Sequence, residues 1–174
     1  ANIVGKYGTQ VQNVLKKAAE LKINYVCPLH GFVWRKNFGT FLSKYALWSS
    51  YTPEEKGVMI AYGSIYGGTA EAAEILARLL AEKGIKSVIH DVSVSHESDI
   101  IADCFKFSHL VFASATYNNG IFPPAETFMK ALQARLIKGR RFYAFGSYTW
   151  AGASVRLLNE MAASLYFELL GEGL

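Results

Sequence analysis

The sequence has little of several features that mark particular classes of protein. It contains two cysteines, Cys27 and Cys104, whose separation matches no metal-binding or redox motif, so reduced thiols inside the cell are expected. Lys and Arg never form a run longer than a pair, which argues against a nucleic-acid-binding or membrane-binding face. No apolar run approaches the roughly 20 residues that a membrane-spanning helix needs. We therefore expect a cytoplasmic protein that binds neither nucleic acid nor membrane.

Residues 1–51 form the first of two unequal parts of the chain. Apolar residues at helical spacing predict one amphipathic helix around residues 11–18 and a second near residues 38–49, and the apolar run at residues 23–27 predicts a short strand between them. Two helices and one strand cannot bury so many apolar side chains by themselves. This part is therefore expected to be the end of a larger domain, followed by a polar linker at residues 52–57.

From residue 58 onward, short apolar runs alternate regularly with amphipathic helices. The runs at residues 58–62, 87–92, 110–113 and 142–145 are typical of strands covered on both faces, and Ser98 is expected to cap the helix after the second strand. Strands that alternate with helices at this spacing predict a doubly wound α/β fold with an open parallel sheet. Such sheets bind ligands at the carboxyl ends of their strands.

The loop after the first predicted strand has the composition of an anion-binding loop. The hydroxyl residues Ser64 and Thr69 lie on either side of Gly67 and Gly68, and a helix follows at once. Successive backbone N–H groups can wrap an anion in such a loop while the side-chain oxygens also donate. The spacing is neither that of a Walker loop nor Gly-x-Gly-x-x-Gly. An ordinary glycine-rich turn is the alternative interpretation.

Two further loops carry polar and aromatic residues after the third and fourth predicted strands. Asn118, Asn119 and Gly120 favour left-handed backbone and offer amide groups to the edge of a flat heterocycle. Tyr148 and Trp150 offer rings for stacking. Taken singly, the first loop could be a plain Asn-Gly turn and Trp150 could fill the core. Together the three loops predict a phosphorylated ligand with a planar ring.

These loops resemble those of a known family. Ser64-x-Tyr66-Gly67-x-Thr69 is similar to the flavodoxin phosphate loop, Ser/Thr-x-Thr-Gly-x-Thr, with Tyr in place of the middle Thr. The sequences TYNNGIFPP at residues 116–124 and FGSYTWAG at residues 145–152 resemble the A-type flavoproteins, or flavodiiron proteins. The sequence PLHGFVWR at residues 28–35 is similar to the end of their metallo-β-lactamase-like diiron domain.

The resemblance implies a fold and a set of ligand-binding residues. The fold would be flavodoxin-like at residues 58–174, with strand order 2-1-3-4-5 and the last strand and helix truncated, after a metallo-β-lactamase-like fragment at residues 1–51. His30 would be an iron ligand in the complete protein. FMN, the implied cofactor, would be contacted at its phosphate by Ser64, Ile65, Tyr66, Gly67, Gly68 and Thr69, and at its ring by Thr116, Tyr117, Asn118, Asn119, Gly120, Ser147, Tyr148, Trp150 and Gly152.

The resemblance also implies a function. Members of the family are oxidoreductases in which a rubredoxin or an NAD(P)H-dependent reductase supplies electrons to FMN, a diiron site then reduces O2 or NO, and subunits pair head to tail as homodimers. The family's H-x-E-x-D-H iron-binding sequence is absent here, so this chain alone would not assemble the diiron centre. A free-standing flavodoxin-like shuttle, an NAD(P)H-quinone reductase and a non-catalytic phosphate-binding module are the alternatives.

Overall fold

A computed structural model describes residues 2–174, which form six helices and six strands. None of the helices in this part of the chain is both long and apolar enough to span a membrane. The helices are α1 (Gly8–Ala18), α2 (Phe38–Ser49), α3 (Gly68–Glu82), α4 (Glu97–Lys106), α5 (Pro123–Ala134) and α6 (Ser154–Ser164); the strands are β1 (Glu55–Gly63), β2 (Ser87–Asp91), β3 (Phe107–Tyr117), β4 (Gly120–Ile121), β5 (Arg141–Ser147) and β6 (Glu168–Leu169).

The strands form one sheet in the order β2-β1-β3-β5-β6, and all neighbours along this path are parallel. The two-residue strand β4 lies off the path and pairs antiparallel with β3. When β4 is left out, the order is the 2-1-3-4-5 order expected of a flavodoxin-like sheet. The predicted fold class is therefore confirmed.

Alternate residues of each central strand face opposite sides of the sheet and enter different cores. Met59 and Ala61 of β1 belong to the larger core, which receives buried side chains from α4, α5 and α6. Val58 and Ile60 face the other side, where α3 covers them. Both faces of β1 are thus buried, which explains why the sequence of this strand is a continuous apolar run.

The predicted helices of the first part are confirmed as α1 and α2, which pack against each other. The predicted strand at residues 23–27 is wrong. Only Val26 bonds to another segment, through a single antiparallel bridge to Trp34. The apolar run lies beside no partner strand among the described residues, so a ladder of backbone hydrogen bonds does not form.

Strand β1 begins inside the segment predicted to be a linker. Glu55 pairs with Phe107 at the start of β3, and its carboxylate lies beside Lys86 and Lys106. The preceding Glu54 carboxylate accepts a hydrogen bond from Trp48 Nε1 at 2.5 Å and pairs with Lys44. The linker prediction is therefore wrong for residues 55–57, which belong to β1, because Glu55 pairs with β3 and two lysines hold its carboxylate in place.

A fully buried guanidinium joins the two parts of the chain. Arg140, which is 2% exposed, donates to the backbone carbonyls of Cys104 and Phe105 near the end of α4 and to that of Tyr51 just after α2. Two further carbonyls, of Lys138 and Gly139, lie within hydrogen-bond distance. Burial lowers the pKa of Arg140 to about 10. The guanidinium thus gives partners to the carbonyls of Cys104 and Phe105, in the last turn of α4, which have none within that helix.

Candidate functional site

The three loops predicted to bind a ligand follow β1, β3 and β5, which are adjacent strands of the sheet. Because the strands are parallel, the loops all emerge at the same carboxyl edge. The first loop is joined to the third by a hydrogen bond of 2.8 Å between the hydroxyls of Thr69 and Ser147. The structure therefore brings the three predicted loops together at one edge of the sheet.

The first loop turns sharply into α3 at a glycine. Gly67 has φ +91°, which disfavours any residue with a Cβ, and no atom lies within 4 Å of the position that a Cβ would take. The Gly67 N–H donates to Ser64 Oγ at 3.1 Å. Ile65 is partly exposed and Tyr66 is almost completely exposed. The backbone of this loop is thus open to a ligand from the solvent side.

Of the helices that begin at these three loops, α3 offers the most backbone N–H groups. Among the described residues no side chain caps its N-terminus, so the N–H groups of its first turn have no acceptor within the helix. By contrast, α5 begins with Pro123 and Pro124, which have no N–H, and Thr116 caps α6. With no Lys or Arg at residues 63–69, amide dipoles would balance an anion's charge.

The second loop is a tight β-hairpin. Thr116 pairs with Ile121 and Tyr117 pairs with Gly120, which leaves Asn118 and Asn119 as the two turn residues. Both have positive φ, +48° and +58°, as in the turn that matches the twist of a hairpin. The expected left-handed backbone is confirmed. The short strand β4 was not predicted, because two residues are too few to show a pattern.

The hydroxyl of Thr116 points to α6 and is engaged there. It accepts the N–H groups of Ala153 and Ser154 and donates to Ser154 Oγ at 3.1 Å. A hydroxyl has one donor and two acceptor positions, so these three bonds use them all. Ser154 is 1% exposed and was missed by the sequence analysis, although a serine at the start of an apolar helical pattern is a helix-start signal.

The third loop carries exposed aromatic rings. Trp150 is 91% exposed and Tyr148 is 65% exposed, so the alternative in which Trp150 fills the core is wrong. Gly152 lies under the ring of Tyr148, where an added Cβ would come within 2.9 Å of a ring carbon. A cavity of about 200 Å³ opens beside it, lined by Thr116, Gly146, Tyr148, Gly152, Ala153, Ser154, Val155 and Leu174.

The predicted metal ligand His30 lies elsewhere, in an exposed loop between α1 and α2. Within residues 2–174 no group of three or more His, Cys, Asp or Glu side chains could hold a metal ion. His90, on β2, bonds through Nε2 to Asp103 of α4 at 2.8 Å.

Known proteins match the chain in both sequence and fold. A flavodoxin family model matches residues 60–174. A nitric oxide reductase of Moorella thermoacetica is 28% identical over 172 residues, which cover 99% of this chain and 42% of that protein. The structure of the rubredoxin oxygen:oxidoreductase of Desulfovibrio gigas superposes with a TM-score of 0.88 and 26% identity over 99% of this chain and 44% of that chain.

A third match supports the fold. The flavodiiron protein of Giardia intestinalis superposes with a TM-score of 0.90 and 24% identity, over 98% of this chain and 42% of that chain. The chain spans less than half the length of each of these three proteins. The family model covers well over half of the chain. The chain therefore belongs to the flavodoxin family, and its structural neighbours include a flavodiiron protein.

Proposed function

We propose that this chain is the FMN-binding, electron-transfer part of a flavodiiron-type oxidoreductase. The observation that carries the proposal is the combination of features at one edge of the sheet. At this edge an uncapped helix N-terminus follows a loop without Lys or Arg, the hairpin presents the exposed residues Asn118 and Asn119, and the third loop carries exposed aromatic rings. This combination suits a ligand with a phosphate at one end and a flat ring at the other.

The residues at this edge fit FMN. The open space at Gly67 and Gly68 leaves room for a phosphate against the backbone of the loop, and the hydroxyls of Ser64 and Thr69 add hydrogen-bond partners. At the other end, the amides of Asn118 and Asn119 would bond to polar atoms of the ring edge. Tyr148 and Trp150 would cover the ring and exclude water from it. Bound FMN would supply electron transfer, which no protein side chain provides as readily.

The complete protein would link this site to a donor and an acceptor. A rubredoxin or an NAD(P)H-dependent reductase is the proposed donor, and a diiron site that reduces O2 or NO is the proposed acceptor. Similarity to a nitric oxide reductase and to a rubredoxin oxygen:oxidoreductase supports this proposal. His30 would contribute to the diiron site, and a head-to-tail homodimer in the cytoplasm is proposed for the complete protein.

The similar proteins match the residues before 58 as well as the flavodoxin-like part, and this favours the proposed function over the alternatives. A free-standing shuttle or a quinone reductase has no role for α1 and α2, whereas the flavodiiron relatives match 98–99% of the chain. A non-catalytic phosphate-binding module would have no need for exposed aromatic rings beside the phosphate loop.

The visible absorption spectrum of the purified chain tests the proposal. We expect the bands of oxidised flavin, and heating should release FMN and not FAD. The chain loaded with FMN should then be reduced when it is mixed anaerobically with reduced rubredoxin or with a reductase and NAD(P)H. A colourless protein that takes up no added FMN would reject the proposed cofactor, and bound FMN that neither donor reduces would reject the proposed donors.

A further inference from the structure

A buried hydroxyl group lies between two of the loops at the carboxyl edge. Ser154, the first residue of α6, donates to the backbone carbonyl of Ser114 at 3.0 Å and accepts from the hydroxyl of Thr116 at 3.1 Å. Ser114 Oγ in turn accepts the N–H of Phe122 at 3.1 Å, on the return side of the hairpin. We call Ser114, Thr116 and Ser154 the hydroxyl relay.

The hydroxyl relay makes hydrogen bonds to the start of α6 as well as to the hairpin. The residue before α6 is Ala153, which has no capping side chain, and Thr116 supplies the missing acceptor for the N–H groups of Ala153 and Ser154 at 3.2 and 3.3 Å. Helix α6 is therefore capped from another loop. A change at Thr116 would loosen the hairpin and the start of α6 together.

The end of β5 is packed tightly against the same group. A Cβ added at Gly146 would lie 2.6 Å from the carbonyl oxygen of Ser114 and 2.7 Å from Ser154 Oγ. Strand β5 ends at Ser147, one residue after this glycine, and the third loop follows. The relay thus sets the separation between the hairpin at residues 116–121 and the loop at residues 147–153, which are the two sides proposed to hold the flavin ring.

We propose that Ser154 and Thr116 are positioning residues for the ring of FMN, which they influence through the two loops and without touching it. This inference rests on the proposed function. It changes the role expected for Thr116, because the three hydrogen bonds of its hydroxyl leave no donor or acceptor for the flavin. The phosphate loop is joined to the third loop by a separate contact, Thr69 to Ser147.

The hydroxyl relay lies on the ring side of the proposed site, and the bond between Thr69 and Ser147 lies on the phosphate side. The two sides can therefore be tested separately. Riboflavin has the ring of FMN but no phosphate, so its binding reports on the ring side alone. Thr116→Val and Ser154→Ala should each weaken the binding of FMN and of riboflavin by the same factor, about tenfold, which corresponds to about 1.4 kcal/mol of binding free energy. The reduction potential of the bound flavin should also shift, because its surroundings change.

Two further variants separate positioning from stability. Thr116→Ser keeps the hydroxyl and should restore affinity and potential nearly to the values of the unmodified chain. Ser108→Ala is the matched control, because Ser108 lies at the opposite end of β3 and also makes three hydrogen bonds, to both backbone groups of Gly57 and to His109. It should lower the thermal stability of the chain and leave both flavin affinities unchanged.

The experiment compares flavin titrations, reduction potentials and thermal unfolding of these variants. If the unmodified chain binds neither FMN nor riboflavin, the proposed function fails. If it binds both, and the relay variants lose stability but keep affinity and potential, the positioning role is overturned and the proposed function stands. Should Thr116→Val fail to fold, Ser154→Ala decides the outcome, since it leaves the cap of α6 on Thr116 intact.

Discussion

Replacing Arg140 by Met would remove a buried charge that holds two helix ends together. The guanidinium donates to the carbonyls of Cys104, Phe105 and Tyr51 at 2.9, 2.7 and 2.5 Å. Met fills a similar volume but has no donor. The substitution would therefore leave these carbonyls buried without a partner, and the end of α2 would lose its hydrogen bond to the sheet domain.

The size of the effect follows from these contacts. Hydrogen bonds to a charged group contribute about 1.5–3 kcal/mol each, or roughly 4.5–9 kcal/mol for three. Desolvation of the guanidinium opposes this by several kcal/mol, in line with the lowering of its pKa by burial. We expect the free energy of unfolding to fall by about 3–5 kcal/mol. In a chain of this size, that loss lowers Tm by roughly 6–20 °C.

Urea denaturation followed by circular dichroism measures this loss. The neighbouring Arg141→Met is the control, because Arg141 is exposed and makes a single ion pair with Glu168 at 3.0 Å. An exposed pair contributes less than about 1 kcal/mol. If the two variants had free energies of unfolding within about 1 kcal/mol of each other, the role assigned to the buried guanidinium would be refuted.

Substitutions at three other features give separate tests. Gly67→Ala should destabilise the chain by about 1–3 kcal/mol, because φ is positive there, whereas Gly68→Ala, in the first turn of α3 with open space around it, should be neutral or slightly stabilising in thermal unfolding. Trp150→Ala should weaken FMN binding in a fluorescence titration with no loss of stability, since the ring is exposed; unchanged affinity would reject its place at the flavin. Burial by itself raises the pKa of Glu54. The hydrogen bonds that its carboxylate accepts from Lys44 and Trp48, with the nearby positive charges of Lys44 and Lys106, lower the pKa by more than burial raises it, so the pKa lies below the ordinary 4.5. The stabilisation from the Glu54 carboxylate is therefore present at neutral pH and is lost as pH falls below about 4.5, so the difference between Glu54→Gln and the unmodified chain in urea denaturation should shrink over that range; a constant difference would contradict the assignment.

The sheet and the general place of the site follow from the sequence for clear physical reasons. A strand buried on both faces must be apolar at every position, which is why the run at residues 58–62 identifies β1. Polar and aromatic residues that follow such strands are expected at the carboxyl edge. The positive φ at Asn118 and Asn119 is also predictable, because Asn tolerates left-handed backbone better than most residues.

Other features depend on contacts that no local pattern shows. Arg140 and Arg141 are adjacent arginines, yet Arg140 is buried and Arg141 is exposed. The side chains of neighbouring residues point in opposite directions here, and three carbonyls that are distant in sequence lie where only Arg140 can reach them. Ser154 gains its role from Thr116, 38 residues away. The predicted strand at residues 23–27 fails for the same reason, since a strand requires a partner and the sequence does not say whether one is near.

Titration of the flavin-free chain with FMN shows whether the carboxyl edge of the sheet is a flavin site, with quenching of flavin fluorescence as the signal and riboflavin as the comparison. We expect saturable binding of one FMN per chain, and weaker binding of riboflavin because the phosphate contacts at α3 are lost. Absence of saturable FMN binding would contradict the claim that this edge of the sheet is a flavin site. Equal affinities for FMN and riboflavin would contradict the assignment of the loop at residues 64–69 to the phosphate.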